Sequence, residues 1–323
     1  MAYFSRMRTF ARLSLASAAL IVAALPATLA TAQSGGPYTV VESGQRFAKL
    51  QDAINSIDAG VGTIRIAPGR YADCGVQPRG DIRYIAEVPG QSVFDGVTCE
   101  GKAAFVLRGR SSVVEGMVFT NMRVDDGNGA GIRLERGNLA VSQTWFRDSE
   151  QGILTAEDPA STISIDKSTF TRLGRCDRGL SCAHSIYTAR YGAVTVTRSR
   201  FEAGRGGHYV KTHALQVGIF NNSFDDTAGR DTNYMIDLSV GSTGRIANNW
   251  FVQGRNKENY TTFIAIAPEA RENSSDGLTI EGNDARFAPG AARDTFFVVD
   301  WQGGRINLGQ NALGAGLQKY QRR

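Results

Sequence analysis

The chain has three histidines, His184, His208 and His213, and all fall within one thirty-residue stretch. Lys211 lies between the second and third, with Tyr187 upstream and Asp237 downstream. Imidazole, ammonium and phenol groups all relay protons when positioned against a reacting atom. Arg190 and Arg205 fall in the same stretch. They are candidates to hold an anionic chain or to neutralise charge that develops during reaction. Lys211 beside Asp237 should stay charged, whereas a Lys flanked by Arg and protonated His gives up its proton more readily. A plainer reading makes His184 and His208 a small ladder that satisfies turn amides, with Asp237 only the ion partner of Lys211. The choice depends on whether the fold brings these residues to one surface.

That fold is legible as a repeat. A stretch with alternating apolar residues, a polar pair and an aromatic recurs, and its phenylalanines are Phe119, Phe146, Phe170, Phe201, Phe224 and Phe251. Their spacings are 27, 24, 31, 23 and 27 residues. A second motif falls between the copies, as in Gly131-Ile132-Arg133-Leu134, Ser185-Ile186-Tyr187-Thr188 and Met235-Ile236-Asp237-Leu238. Each period therefore holds at least two alternating strands bounded by Gly, Asn and Asp turns. An irregular period of this length predicts an all-β, single-stranded right-handed parallel β-helix. A propeller blade needs about 40–50 residues, roughly twice this period. Inward columns should be Ile132, Ile153, Ile186, Val210, Ile236 and Ile264 beside the Phe ladder, with Asn222 and Asn249 as inward amides. The alignment stacks His184 over His208, and Tyr187, Lys211 and Asp237 as outward neighbours, with Leu154 and Arg133 further along. Alternation sends His213 to the same face as Lys211.

Residues 1–32 read as a secretory signal. Arg6, Arg8 and Arg12 precede the apolar run Leu15–Leu25, and Ala30-Thr31-Ala32 is a small-residue cleavage site. The mature domain is then 33–323. Without the signal the net charge falls from +5 to +2, with 33 basic residues against 31 acidic, which gives no argument for a nucleic-acid partner. No membrane span is expected in the mature chain, which should be periplasmic or secreted. Four cysteines in an exported chain favour disulfides. Cys176 and Cys182 could staple a local loop, and Cys74 and Cys99 are one rung apart. Phe47, Leu50, Ala53, Ile54 and Ile57 form a short amphipathic helix, a natural cover for the open end of the stack. Asp225 and Asp226 read as turn residues. The loop Asp125-Asp126-Gly127-Asn128-Gly129 lacks the spacing and terminal Glu of a calcium loop, so Ca²⁺ finds no support there and no cofactor is expected.

The helix and first strands resemble the N-terminal cap of pectin-lyase-like β-helix proteins. Ala183-His184-Ser185-Ile186-Tyr187, Gly207-His208-Tyr209-Val210-Lys211-Thr212-His213-Ala214 and Tyr234-Met235-Ile236-Asp237-Leu238 resemble three rungs of bacterial secreted right-handed β-helix repeat proteins. Those proteins commonly carry Ser-Arg where this chain has Thr212-His213. More distantly, Lys211 ahead of an Asn-Asn-x-Phe turn is similar to β-helix polysaccharide lyases acting on alginate or dermatan. That similarity implies a Lys base, an Arg acid one rung later and Ca²⁺ on nearby Glu residues. This chain departs from it, with His208 and Tyr209 in place of Glu and Asp237 in place of the Arg.

The resulting expectation is a monomeric, exported polysaccharide lyase acting on an acidic, uronate-containing polysaccharide. Lys211, His213, His208 and Tyr187 would be catalytic, and Arg190, Arg205, His184, Tyr234 and Asp237 would bind substrate. The alternative is a non-catalytic glycan-binding or envelope-structural β-helix protein. A glycoside hydrolase needs two facing carboxylates, and Asp237 has no evident partner.

Overall fold

The computed structural model describes residues 1–2, 35–291 and 293–323. The expected signal lies almost wholly at 3–34, outside the described residues. Gly35–Arg323 forms one compact unit. It is a parallel β-solenoid of three sheets, one with twelve strands and two with ten. We name them sheets A, B and C in the order the chain visits them. Three strands make a rung, as in Tyr191–Thr197 of sheet A, Arg200–Glu202 of sheet B and Val210–Thr212 of sheet C. The recurring segment expected as one alternating strand is thus two strands. A turn divides it between sheets A and B.

The chemistry of that turn is visible in the backbone. Gln143, Lys167, Arg198, Asn221 and Asn248 each take a positive φ, between 47° and 59°. One left-handed residue redirects the chain there, a conformation unfavourable for most L-residues. The next residue points inward and is compensated by its neighbours. Thr144, Ser168, Ser199, Asn222, Asn249, Asn283 and Asn311 form a continuous polar ladder. The backbone N–H of each donates to the side-chain oxygen of the next, at 2.9–3.3 Å. In the asparagine part the side-chain amides also pass a hydrogen bond from rung to rung, at 2.9–3.0 Å. The expected inward positions of Asn222 and Asn249 are therefore found.

The core repeats with the same regularity. Ile132, Ile153, Ile186, Val210, Ile236 and Ile264 are in direct register and fully buried. In sheet B the rings from Phe119 to Phe251 stack with centroids 4.7–5.2 Å apart. This is close to the spacing of hydrogen-bonded strands, so each ring covers the next with no change of register. At the N-terminal end the helix Leu50–Ile57 buries Leu50, Ala53 and Ile54. Asp73 Oδ2 accepts from the Leu50 N–H at 2.9 Å and so caps the helix. A Cβ at Gly75 would lie 2.6 Å from Ile54 Cδ1, so the close seating of the helix requires glycine there. Cys74–Cys99 and Cys176–Cys182 are both disulfide-bonded. Among the described residues no helix is long and apolar enough to cross a membrane.

Candidate functional site

Parallel register places Arg133, Leu154, Tyr187, Lys211, Asp237 and Ala265 in one outward column of sheet C. Above this column lies a cleft of about 700 Å³, lined among others by Arg133, His184, Tyr187, His208, Lys211, Glu258 and Glu269. Two loops between sheets B and C complete it, through Asn128 on one side and Ser181 and Cys182 on the other. These loops are tied together. Glu150, buried, accepts from the backbone N–H groups of Val124 and Gly129 and pairs with Arg178. Arg175 donates to the carbonyls of Gly127 and Ser181. The Asp125–Gly129 loop is an Asx turn, in which Asp126 Oδ1 accepts from the Asn128 N–H.

Lys211 is the centre of the site. It is only 8 % exposed and lies 5.3 Å from the centroid of the Tyr187 ring. Its Nζ is 3.8 Å from Asp237 Oδ2 and pairs closely with Glu269. Burial pulls its pKa down, but the carboxylates of Asp237 and Glu269 outweigh that and hold it above the ordinary lysine value. The resting group is a cation, which is the charged one of the two states the sequence left open. His213 Nε2 is 3.7 Å from Glu269 Oε2, and its ring is 5.6 Å from that of Tyr187. Burial lowers the His213 pKa, which keeps the imidazole neutral; the ring does not line the cleft, and its Nε2 is buried without a hydrogen-bond partner among the described residues. Burial raises the Tyr187 phenol, leaving it protonated.

His184 and His208 stack with centroids 4.9 Å apart. His184 Nδ1 accepts from the His208 backbone N–H at 3.0 Å, so the pair does satisfy a turn amide. Burial pushes His184 down to about 3 and His208 well below its ordinary value. Gly207 makes this stacking possible. A Cβ there would meet Ala183 O at 2.1 Å and His184 Nδ1 at 2.5 Å, and its φ is +60°. Asp237 is almost fully buried, and burial raises its pKa to about 7 against the opposing pull of Lys211.

The remaining sequence candidates fall elsewhere. Arg190 pairs with Glu272 at 2.9 Å, and Arg205 lies 3.4 Å from Asp148; neither lines the cleft. Tyr234 packs against His208 at 5.5 Å and accepts from Asn259 at 2.9 Å, supporting the site without lining it. Asp225 is a turn residue, with Oδ1 accepting from the Thr227 N–H. Asp226 is not. It is fully buried, takes a hydrogen bond from Tyr209 at 2.7 Å and forms an ion pair with the fully buried Lys257 at 3.1 Å.

Sequence reasoning missed Glu269 because it lies 58 residues beyond Lys211. It belongs to the strap 267–273, which follows the strand Thr262–Ile266 and folds back over sheet C. Asn273 in this strap donates to the carbonyls of His213, at 3.1 Å, and Gly241, at 3.0 Å. The strap corrects one premise, since Asp237 and Glu269 both flank Lys211 and a second carboxylate is present after all.

No family model matches the chain, and no curated protein matches it either. A solved structure titled "Geobacillus virus E2 - ORF18" is similar in fold, with a TM-score of 0.52 and 14% identity. The match covers 84% of this chain and 56% of that one.

Proposed function

We propose that the chain is an exported, carbohydrate-active protein that cleaves a uronate-containing polysaccharide by β-elimination on sheet C. The observation that carries this reading is the pairing of Lys211 with Tyr187 and Glu269 in one cleft, with His213 packed against Tyr187 and Glu269 outside its lining. A uronate carboxylate takes the place of Glu269 on Lys211, whose fixed charge stabilises the enolate-like intermediate. Displacement of Glu269 uncovers the neutral His213 beneath it, which then accepts the C5 proton, and Tyr187 or Lys211 returns a proton to the leaving oxygen. Lys211 therefore acts as a cation here and not as the resting base. Two disulfides suit an oxidising compartment and support export.

The carboxylates of Asp237 and Glu269 on either side of Lys211 favour a second reading, a glycoside hydrolase with Asp237 as acid. Incubation with a panel of uronate and neutral polysaccharides separates the two. Elimination raises both ultraviolet absorbance and reducing ends, hydrolysis raises reducing ends alone, and neither change on any polymer sinks both readings. Lys211→Met should lower elimination by roughly 10²–10³-fold; full activity in that variant removes Lys211 from the mechanism.

A further inference from the structure

Hydrogen-bond direction sets the tautomer of His184 and constrains that of His208. The Nδ1 of His184 accepts from the His208 backbone N–H at 3.0 Å, so it carries no proton. The same nitrogen is 3.1 Å from His208 Nδ1. A hydrogen on His208 Nδ1 shares the single lone pair of His184 Nδ1 with the backbone N–H, whereas two bare ring nitrogens would repel, so the contact favours the Nδ1–H form of His208. A neutral His208 then has its lone pair on Nε2, and Nε2 faces Asp237 Oδ2 at 3.4 Å. With Asp237 ionised, two acceptors would confront each other in a buried site, which is costly without a hydrogen between them.

We propose that His208 and Asp237 jointly hold one proton, forming a buried acid directly behind Lys211. The groups facing this pair come from every neighbouring element. His184 and Tyr187 belong to the preceding rung, Lys211 and His213 to its own, and Tyr234 to the next. Lys257 and Glu269 act on it from further along the chain. Lys211 Nζ, 3.8 Å from Asp237 Oδ2, connects the pair to the cleft. The balance of a turnover is simple. Lys211 gives a proton to the leaving oxygen and becomes an amine. The pair then returns a proton to Lys211, leaving Asp237 ionised beside a restored ammonium and His208 neutral; His213 releases the C5 proton to solvent, and solvent reloads the pair, so no net proton is gained or lost. This last role rests on the proposed function, whereas the shared proton does not.

The test needs no substrate. Nitrogen-15 spectra of the histidine rings and carbon-13 spectra of the aspartate carboxyls are followed as pH rises through about 7. His213→Gln identifies the two stacked rings by elimination. The expected result is a hydrogen on His208 Nδ1 throughout and one further proton, on His208 Nε2 or on Asp237, lost near that pH. In Asp237→Asn the new amide can donate to Nε2, so His208 should remain a neutral Nδ1–H tautomer and cease to titrate. A His208 with its hydrogen on Nε2, or an Asp237 ionised well below that pH beside a neutral His208, overturns the proposal. Wild-type spectra alone decide it should the variant not fold. A shared proton in a protein that cleaves no glycan would refute the proposed function and leave this inference standing.

Discussion

The inward column of sheet B and the outward column of sheet C obey the same register and carry opposite sequences. Sheet B stacks Phe119, Phe146, Phe170, Phe201, Phe224 and Phe251, the same residue six times. Sheet C stacks Arg133, Leu154, Tyr187, Lys211, Asp237 and Ala265, six residues with no repetition. A buried column must match its neighbours in shape, because packed interiors tolerate few voids. The outward column is covered only by loops and the strap rather than by copies of itself, so it can place unlike groups about 4.8 Å apart along a rigid axis. The repeating column therefore accounts for stability, and the variable one is free to carry chemistry.

Truncating the repeating column should have the largest effect. Phe201→Ala opens a gap between Phe170 and Phe224 and should cost about 3–5 kcal/mol, read from the denaturant midpoint. A loss below about 1 kcal/mol would mean that the ladder is not the principal source of stability. A smaller loss is expected for Asn249→Ala, which leaves the Asn222 N–H and side-chain amide without their shared acceptor. About 1–3 kcal/mol is the usual cost of such an orphaned group. The outward column should respond to pH more than to truncation. Asp237 binds its proton more tightly when folded, so its contribution is present below the ordinary aspartate range and is lost as pH rises through about 7. His184 and His208 act in the opposite sense, because their folded pKa values are depressed and the stability from their neutral forms is lost as pH falls below about 6.5. Asp237→Asn should remove the decline between about pH 4 and 7 and leave the slope above about 7 unchanged. An unaltered slope between about pH 4 and 7 would detach Asp237 from the buried cluster.

The parts of this molecule that depend on neighbouring rungs were readable from the sequence. A period in the Phe positions sets the register, and the register then places Tyr187, Lys211 and Asp237 without further information. Cys74 and Cys99 follow from the same period. Partners that skip rungs were not readable. Glu269 reaches Lys211 from two rungs away through a strap of irregular chain, and no periodic signal marks it. Lys257 lies only one rung beyond Asp226, but both follow their sheet B strands in irregular chain that no alternation marks. Arg190 and Arg205 were assigned to the site by proximity in sequence, yet each found a carboxylate outside the cleft. Long cations settle on the nearest available anion, and strand alternation does not say which that is.

The strap has a consequence for how the molecule comes apart. Stacked repeats contact only their neighbours and can fray rung by rung from an end. Here Glu269 is anchored two rungs back at Lys211, Glu272 is paired with Arg190 three rungs back, and Gln302 of the following rung donates to the Asn273 carbonyl at 2.9 Å. Peeling from the C-terminal side therefore cannot stop quietly short of the cleft, because losing the strap releases Lys211, His213 and Arg190 together. The site and the rungs beyond it should protect their amide hydrogens as a single cooperative block, in a fold whose architecture otherwise favours gradual loss.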